Sequence, residues 1–469
     1  MKLYIGLLIV TITLFGCKKD TASQDSDYAY FGGQIINPKC NFIVLSKSEQ
    51  VLDTILLDGN DRFTHKVSKL QPGFYTFRHA DEFQMVLLEP QDSIMFRLNT
   101  LDFDESLVYT GLGAKKNNYL INEFLQNELD DKSLYQYCQL NPGKFEDKVD
   151  SIKASKKKEL AAFKEKHGTS TFFNDIAEAN INYNYYFKKE IYPLYHNTAN
   201  KSELLESLPE GFYGYRKSIN LNDSFPKELF TYQSFLRTSI SNLALRTHLD
   251  HSKDKNYVCY TLDKLNLIDS LIDNTSVKNE LLYHYTSRFL AKNKNEKECE
   301  TIIASYLAKS NNDEKNKMIK LHASAIKNLK KGNHLPNIII KDYKNNEANL
   351  NSKIQAPTVI SFWSLAAYDH FKESHNKIKE LEIKYPEVTF MRINIDDYNV
   401  ETIKKALIRS HLTLDNEYLF TNPEKSRETL AVYPMIKTFI VDKHKKIVNS
   451  NSNIFDRDFE EELLGAINR

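Results

Sequence analysis

The chain has 469 residues, of which 41% are hydrophobic and 27% charged, values of an ordinary folded protein with room for two to four domains. Lys+Arg 63 against Asp+Glu 62 leaves a net charge of +1, without the basic excess that a nucleic-acid partner demands, so that class of partner is not expected. Tyr 27 and Phe 27 provide large side chains for cores, whereas Gly 14 and Pro 12 leave few hinges.

Lys2 precedes an apolar stretch from Leu3 to Phe15. Its length falls within the ~7–15 residues of a secretory signal and is too short to span a bilayer as a helix. The stretch ends Leu14-Phe15-Gly16-Cys17, and Leu at −3, a small residue at −1 and then Cys resembles the bacterial lipobox, in which the cysteine is acylated. Residues 1–17 are therefore expected to be a lipoprotein signal peptide ending at lipidated Cys17; a plain signal peptide with a chance cysteine is the alternative. Residues 18–28 are polar and read as a flexible tether. The expected address is the cell envelope, lipid-anchored to the outer membrane and facing the periplasm. Lys18-Lys19-Asp20 faintly resembles surface-export signals of lipoproteins from Bacteroidetes-type bacteria, which keeps the outer face open.

Residues 29–112 read as short strands between turn signals. Tyr30 to Ile36, Phe42 to Leu45, Val51 to Leu57, Phe63 to Val67, Phe74 to Phe77, Met85 to Leu88 and Ile94 to Leu98 are separated by Asn37-Pro38, Asp58-Gly59-Asn60, Pro72-Gly73 and Gln91-Asp92. This spacing predicts an N-terminal antiparallel β-sandwich. The register changes at Thr110-Gly111-Leu112-Gly113-Ala114, and residues 113–332 follow a helical pattern, as in Phe145, Val149 and Ile152. Ile191-Tyr192-Pro193 and Leu208-Pro209-Glu210-Gly211 are expected to break the helices. The aromatic run Tyr183 to Tyr186 is read as helical packing rather than a stacking platform. No fixed 34-residue period marks a tetratricopeptide array.

From residue 333 to 469 strands and helices alternate, which predicts an α/β sheet covered by helices. Thr358 to Trp363 is a mostly apolar run of the buried-strand kind, Phe371 to Lys384 a helix, Val388 to Ile395 a strand and Val400 to Ile408 a helix. Thr438 to Val441, Ile447-Val448 and a helix over Asp458 to Ile467 complete the chain.

Besides Cys17 the cysteines are Cys40, Cys138, Cys259 and Cys299, none spaced as Cys-x-x-Cys or as a zinc knuckle. An oxidising compartment would permit a Cys259–Cys299 bridge; isolated buried thiols are the other reading. No phosphate-cradling Gly-rich loop, nucleophile elbow or zincin motif is present, and no metal or cofactor is expected.

The last segment, about 135 residues, is similar to the TlpA/ResA-like branch of the thioredoxin fold. The residues that carry the likeness are Leu335 to Asp342, Pro357 to Trp363, Met391 to Asp396 and Thr438 to Asp442. The upstream strands, with Asp58 to Phe63, Pro72 to Tyr75, Leu88 to Ile94 and Gly111 to Leu120, look like the N-terminal domain that precedes such modules in lipoproteins of Bacteroidetes-type bacteria. The resemblance implies a C-terminal α/β thioredoxin-like fold, with Cys-x-x-Cys three residues after Phe-Trp. Here those positions are Ala367, Tyr368, Asp369 and His370. A helix N-terminus stabilises a thiolate that attacks a disulfide, and a second thiol resolves the product; a methyl and an imidazole can do neither. The family's cis-proline position is Ile436, or Pro434 with a slip of two residues, and a non-proline cis bond costs ~3–4 kcal/mol.

Exchange by the family mechanism is therefore not expected. The leading expectation is a membrane-anchored envelope lipoprotein whose redox-inactive thioredoxin-like domain binds or scaffolds an envelope protein or glycan. The alternative is a protein of cell redox homeostasis, related to thiol-disulfide oxidoreductases, that acts through its other cysteines. A third reading is a new site at Asp369-His370 joined by His375 or His444. Adjacent helical residues point apart, which favours a solvated or capping pair there.

Overall fold

The computed structural model describes residues 27–47, 50–80, 82–222, 225–246, 248, 258–293, 295–397, 400–432 and 436–468. The expected signal peptide, Cys17 and nearly all of the tether lie outside the described residues, as does Pro434. Among the described residues no helix is long and apolar enough to cross a membrane.

Eight strands come first: β1 (Tyr28–Ile36), β2 (Phe42–Lys47), β3 (Gln50–Leu56), β4 (Arg62–Ser68), β5 (Gly73–His79), β6 (Glu82–Leu88), β7 (Ser93–Asn99) and β8 (Val108–Leu112). They form two four-stranded sheets, ordered β4-β1-β7-β8 and β3-β2-β5-β6. Alternate side chains of β1, β2, β4, β5 and β7 point inward, so both sheets contribute to one apolar core. Phe77 of one sheet stacks on Phe96 of the other with ring centroids 4.9 Å apart, and Phe31 lies 5.4 Å from each. The expectation of wholly antiparallel sheets is corrected at β1, which pairs with β7 in parallel. The chain leaves the first sheet after β1 and returns through the second, so no hairpin dictates the relative direction of β1 and β7. Strand β8, not foreseen, is a short edge strand whose residues are mostly exposed, and such a strand carries little apolar signal.

Among the described residues ten α-helices follow: α1 (Ala114–Lys132), α2 (Leu134–Tyr137), α3 (Pro142–His167), α4 (Thr171–Tyr195), α5 (Lys201–Glu206), α6 (Phe230–Leu245), α7 (Val258–Leu271), α8 (Thr275–Lys292), α9 (Glu296–Lys309) and α10 (Asp313–Asn328). Gly113 begins α1 at φ 88°, and a Cβ there would meet Asp92 Oδ1 at 2.2 Å, so the strand-to-helix change needs glycine. Side-chain oxygens of Asn141, Asn274, Asn295 and Asn312 cap α3, α8, α9 and α10. The break expected at Ile191-Tyr192-Pro193 falls two residues later: α4 runs through Pro193 to Tyr195, because a proline in the last turn removes only one hydrogen bond. The tyrosines near Tyr183 pack as core, with Tyr186 stacked on Tyr215 at 4.3 Å and Tyr183 against Tyr232 at 4.8 Å. Cys40, Cys138, Cys259 and Cys299 are all free thiols, so the Cys259–Cys299 bridge is not formed.

The C-terminal segment contains β9 (Ile339–Lys341), β10 (Glu347–Asn349), α11 (Leu350–Lys353), β11 (Thr358–Trp363), α12 (Tyr368–Lys384), β12 (Thr389–Asn394), α13 (Val400–Arg409), β13 (Glu417–Phe420), α14 (Pro423–Leu430), β14 (Thr438–Val441), β15 (Ile447–Ser452) and α15 (Phe459–Ile467). Its sheet is ordered β10-β9-β13-β12-β11-β14-β15. Central β11 runs parallel to β12 and antiparallel to β14. Val359, Phe390 and Ile440 face Ile378 and Leu381 of α12 and Leu463 of α15 on one side. Ile360, Phe362 and Phe439 face Leu430 of α14 on the other, together with Ala325 of α10 and Leu329 just beyond it. The end of the helical region therefore shares a core with the C-terminal sheet.

Buried His79 ties the β1–β2 connection to β5. Its Nε2 accepts from Lys39 N–H at 2.9 Å and its Nδ1 donates to the Phe42 carbonyl at 3.0 Å, which defines a neutral ring. Burial pushes its pKa down to about 4, against a weaker upward pull from the Phe42 carbonyl. The unfolded chain, titrating near 6.5, takes up this proton first, so stability present above pH 6.5 is lost as pH falls toward about 4. The urea midpoint should fall across that window and change less steeply in His79→Gln. His284 and His322, also pushed down to about 4, sustain the remaining slope.

Candidate functional site

The site begins where β11 ends. All six residues of β11 are buried, and its last, Trp363, is held from three sides. Its indole Nε1 donates to Glu417 Oε2 at 3.2 Å, its ring stacks on Phe371 at 4.6 Å, and the His375 ring meets it edge-on at 5.2 Å. His375 Nε2 lies 3.0 Å from Glu417 Oε1 and its Nδ1 lies 2.7 Å from the Phe371 carbonyl. Both ring nitrogens thus face oxygens of their neighbours. Arg392 Nε approaches the same Glu417 oxygen at 2.7 Å, while its Nη atoms donate to Glu382 and to the Asp415 carbonyl. With His375 and Glu417 at 2% and 1% exposure, this group cannot meet a substrate; it docks α12 onto the sheet.

Beyond Trp363 the chain turns through Leu365–Ala367 into α12. Asp396, at the end of β12, holds this corner. Its carboxylate accepts from Ser364 Oγ at 2.5 Å, from Leu365 N–H at 2.8 Å and from Asn394 Nδ2 at 2.9 Å. Ala367 is the N-cap of α12 and offers no side-chain cap. Its half-buried methyl stands where a nucleophile attached to this helix would stand. His370, one turn into the helix, has a buried Nδ1 without a hydrogen-bond partner, and its ring lies 5.8 Å from that of Phe455. Burial lowers its pKa; Glu373 opposes that shift and His375 adds to it.

Ile436 reaches the same end of the sheet. β14 pairs Thr438 with Ser361 in antiparallel register, so two further residues set Ile436 opposite Trp363. It is half-buried against the core shared with α10 and α14. Next to it, buried Lys437 has its pKa pushed down to about 8 by desolvation. Ala367, His370 and Ile436 are therefore gathered at one edge, while His375 turns inward to Glu417 instead of joining His370. The side chains of Tyr368 and Asp369 lie outside those described. Among the described residues no group of three His, Cys, Asp or Glu side chains converges as metal ligands. Glu417 and Asp396 were not singled out from the sequence: β13, which carries Glu417, is only four residues long, and an Asp at a strand end is an ordinary turn residue.

No family model matches the chain, and no curated protein matches it. Among solved structures, the thioredoxin domain of a thiol-disulfide oxidoreductase from Bacteroides vulgatus is 23% identical, covering 25% of this chain and 86% of its own, with a TM-score of 0.22. A thiol:disulfide interchange protein from Bacteroides sp. is 20% identical over 26% of this chain and 80% of its own, with a TM-score of 0.23. A protein assigned as a thiol-disulfide oxidoreductase from Bacteroides vulgatus is 18% identical over 29% and 97%, with a TM-score of 0.26. The likeness says nothing about activity. The thioredoxin-like character of the C-terminal sheet rests on its own strand order, with β11–α12–β12 parallel and β14–β15 returning antiparallel.

With this corner geometry, introducing two thiols should create a redox couple. The double variant Ala367→Cys/His370→Cys places thiols three residues apart at a helix N-terminus, within reach of a disulfide. It should form one reversible disulfide, with Cys introduced at 367 alkylated below the pH usual for a free thiol. Thiol counting by mass under oxidised and reduced glutathione checks this.

Proposed function

We propose that this protein is a lipid-anchored envelope lipoprotein whose thioredoxin-like unit is redox-inactive and serves in binding or scaffolding an envelope protein or glycan. One observation carries the redox part: the strand-to-helix corner presents the Ala367 methyl, and no cysteine follows Cys299 in the chain. The elements that position the corner are nevertheless intact, with Asp396 on its backbone and Glu417 beneath its tryptophan. A scaffold kept without its reactive atoms is one kept for shape.

The remaining thiols offer no substitute pair. Cys138 and Cys299 are buried, and desolvation pushes their pKa values up to about 12 and about 11, away from the thiolate that exchange requires. Cys40 and Cys259 are half-buried and belong to different parts of the fold. Anchoring at Cys17 is the reading of the lipobox-like Leu14-Phe15-Gly16-Cys17, and the partner class is read from an envelope address combined with a corner that carries no thiol.

Two measurements test this reading. The reduced soluble chain should precipitate insulin no faster than buffer with dithiothreitol; acceleration that disappears with any one of Cys40, Cys138, Cys259 or Cys299 would establish the redox alternative. In cells, the native protein should partition with detergent and carry acyl label, and Cys17→Ser should move to the aqueous phase unlabelled. Labelling that persists in Cys17→Ser would rule the anchor out.

A further inference from the structure

Between α4, α6, α7 and α8 lies a cavity of about 310 Å³, remote in sequence from the corner just described. Six of its lining residues are basic: Lys201, Arg237, Lys264, His284, Arg288 and Lys292. Among the described residues no Asp or Glu lines it. In a chain whose acids and bases are equal to within one charge, a wall of one sign is not what a solvated surface provides by default. Three of the six stand at four-residue steps along α8, at positions 284, 288 and 292, and so share one helix face. Of these, Arg288 and Lys292 are a like-charged pair at a spacing that destabilises a helix.

The surroundings determine which groups are available to a ligand. Lys201 Nζ already donates to the carbonyls of Pro193 and His196, so it contributes charge and little else. Lys264 is buried over the ring of Tyr260 at 3.6 Å and faces that of Tyr285 at 5.1 Å. The two tyrosine hydroxyls are occupied, Tyr260 donating to the Ser241 carbonyl at 2.7 Å and Tyr285 to the Arg237 carbonyl, so these residues offer their rings. Arg237, Arg288 and Lys292 are exposed, and the cavity opens to solvent past them. His284, desolvated first and then opposed by Arg237, Arg288 and Lys264, is pushed down to about 4 and is neutral at physiological pH. The arginines crowd each other as well, Arg288 lowering the pKa of Arg237 in addition to its desolvation. Such a cleft focuses a positive field on whatever enters it.

We propose that this cavity binds a small phosphomonoester, with Arg237 and Arg288 on the phosphate, Lys264 and Lys292 completing its neutralisation, and the organic body against the Tyr260 and Tyr285 rings. The charge count favours this chemistry. A carboxylate balances one cation, whereas a phosphomonoester carries about −1.5 to −2 and three acceptor oxygens that suit the arginine fork. The size favours a small molecule over a polymer, because the volume lies at the lower end of the ~300–1,000 Å³ of ligand pockets. This proposal does not depend on the redox state of the C-terminal unit.

Calorimetric titration of the full chain with phenyl phosphate, in about 0.15 M salt, tests it. Saturable one-site binding is expected, weakened about tenfold or more in Arg288→Met and in Arg237→Met, since each loses a charge-assisted contact to the phosphate. Both positions are exposed on helices, so folding should survive; Lys157→Met, exposed on α3, should leave the affinity unchanged. Absence of saturable heat, or undiminished affinity in both arginine variants, overturns the site. Benzoate binding as tightly as phenyl phosphate overturns the dianionic ligand.

Discussion

A strand buried on both faces has only its ends for chemistry, and that constraint organises the C-terminal unit of this protein. β11 lies inside the sheet, and apolar side chains cover it above and below along its full length. Where it ends, the backbone must turn and its polar groups must find partners at once. Asp396 meets that need with one carboxylate on Ser364 and Leu365, and Glu417 meets it from below through Trp363 and His375. None of these interactions involves the side chains at 367 or 370. The corner is therefore held by its supports, whatever residue stands at its tip.

That separation between supports and tip gives the sheet a shape that does not depend on the side chain at the corner. In the cysteine-bearing form of such a corner, the helix N-terminus stabilises a thiolate. Here the same N-terminus faces a methyl, and in the first turn burial lowers the pKa of His370. The sheet is also joined to what precedes it. Ala325 and Leu329 reach into its core, Ser450 Oγ donates to the Leu329 carbonyl at 2.7 Å, and Asn451 Nδ2 donates to the Ala291 carbonyl at 2.9 Å. The helical region and the C-terminal unit thus join through a shared apolar core and these two hydrogen bonds.

Much of this was legible in the sequence because the signals were periodic or continuous. The apolar run Thr358 to Trp363 and the alternating Phe63 to Val67 needed no tertiary information to be read as strands. The spacing from Phe362-Trp363 placed Ala367 at the corner, and the spacing back from Asp442 placed Ile436 opposite it. What escaped was set by long-range geometry. β8 and β13 are short, and each is a strand because of the neighbour it pairs with. The parallel β1–β7 pair depends on a crossover through the other sheet. The Glu417–His375 contact joins residues 42 positions apart, and nothing local marks either as a partner. The basic cavity assembles Arg237, Lys264 and Arg288 from three helices, and it is visible only once they pack.

The central claim is that no thiol pair in this protein exchanges electrons as a unit. Counting free thiols by alkylation and intact mass, across glutathione buffers from about −300 to −180 mV, addresses it directly. The native chain should keep the same number of alkylatable thiols at every potential. Two thiols lost together in a single reversible two-electron step would contradict the account.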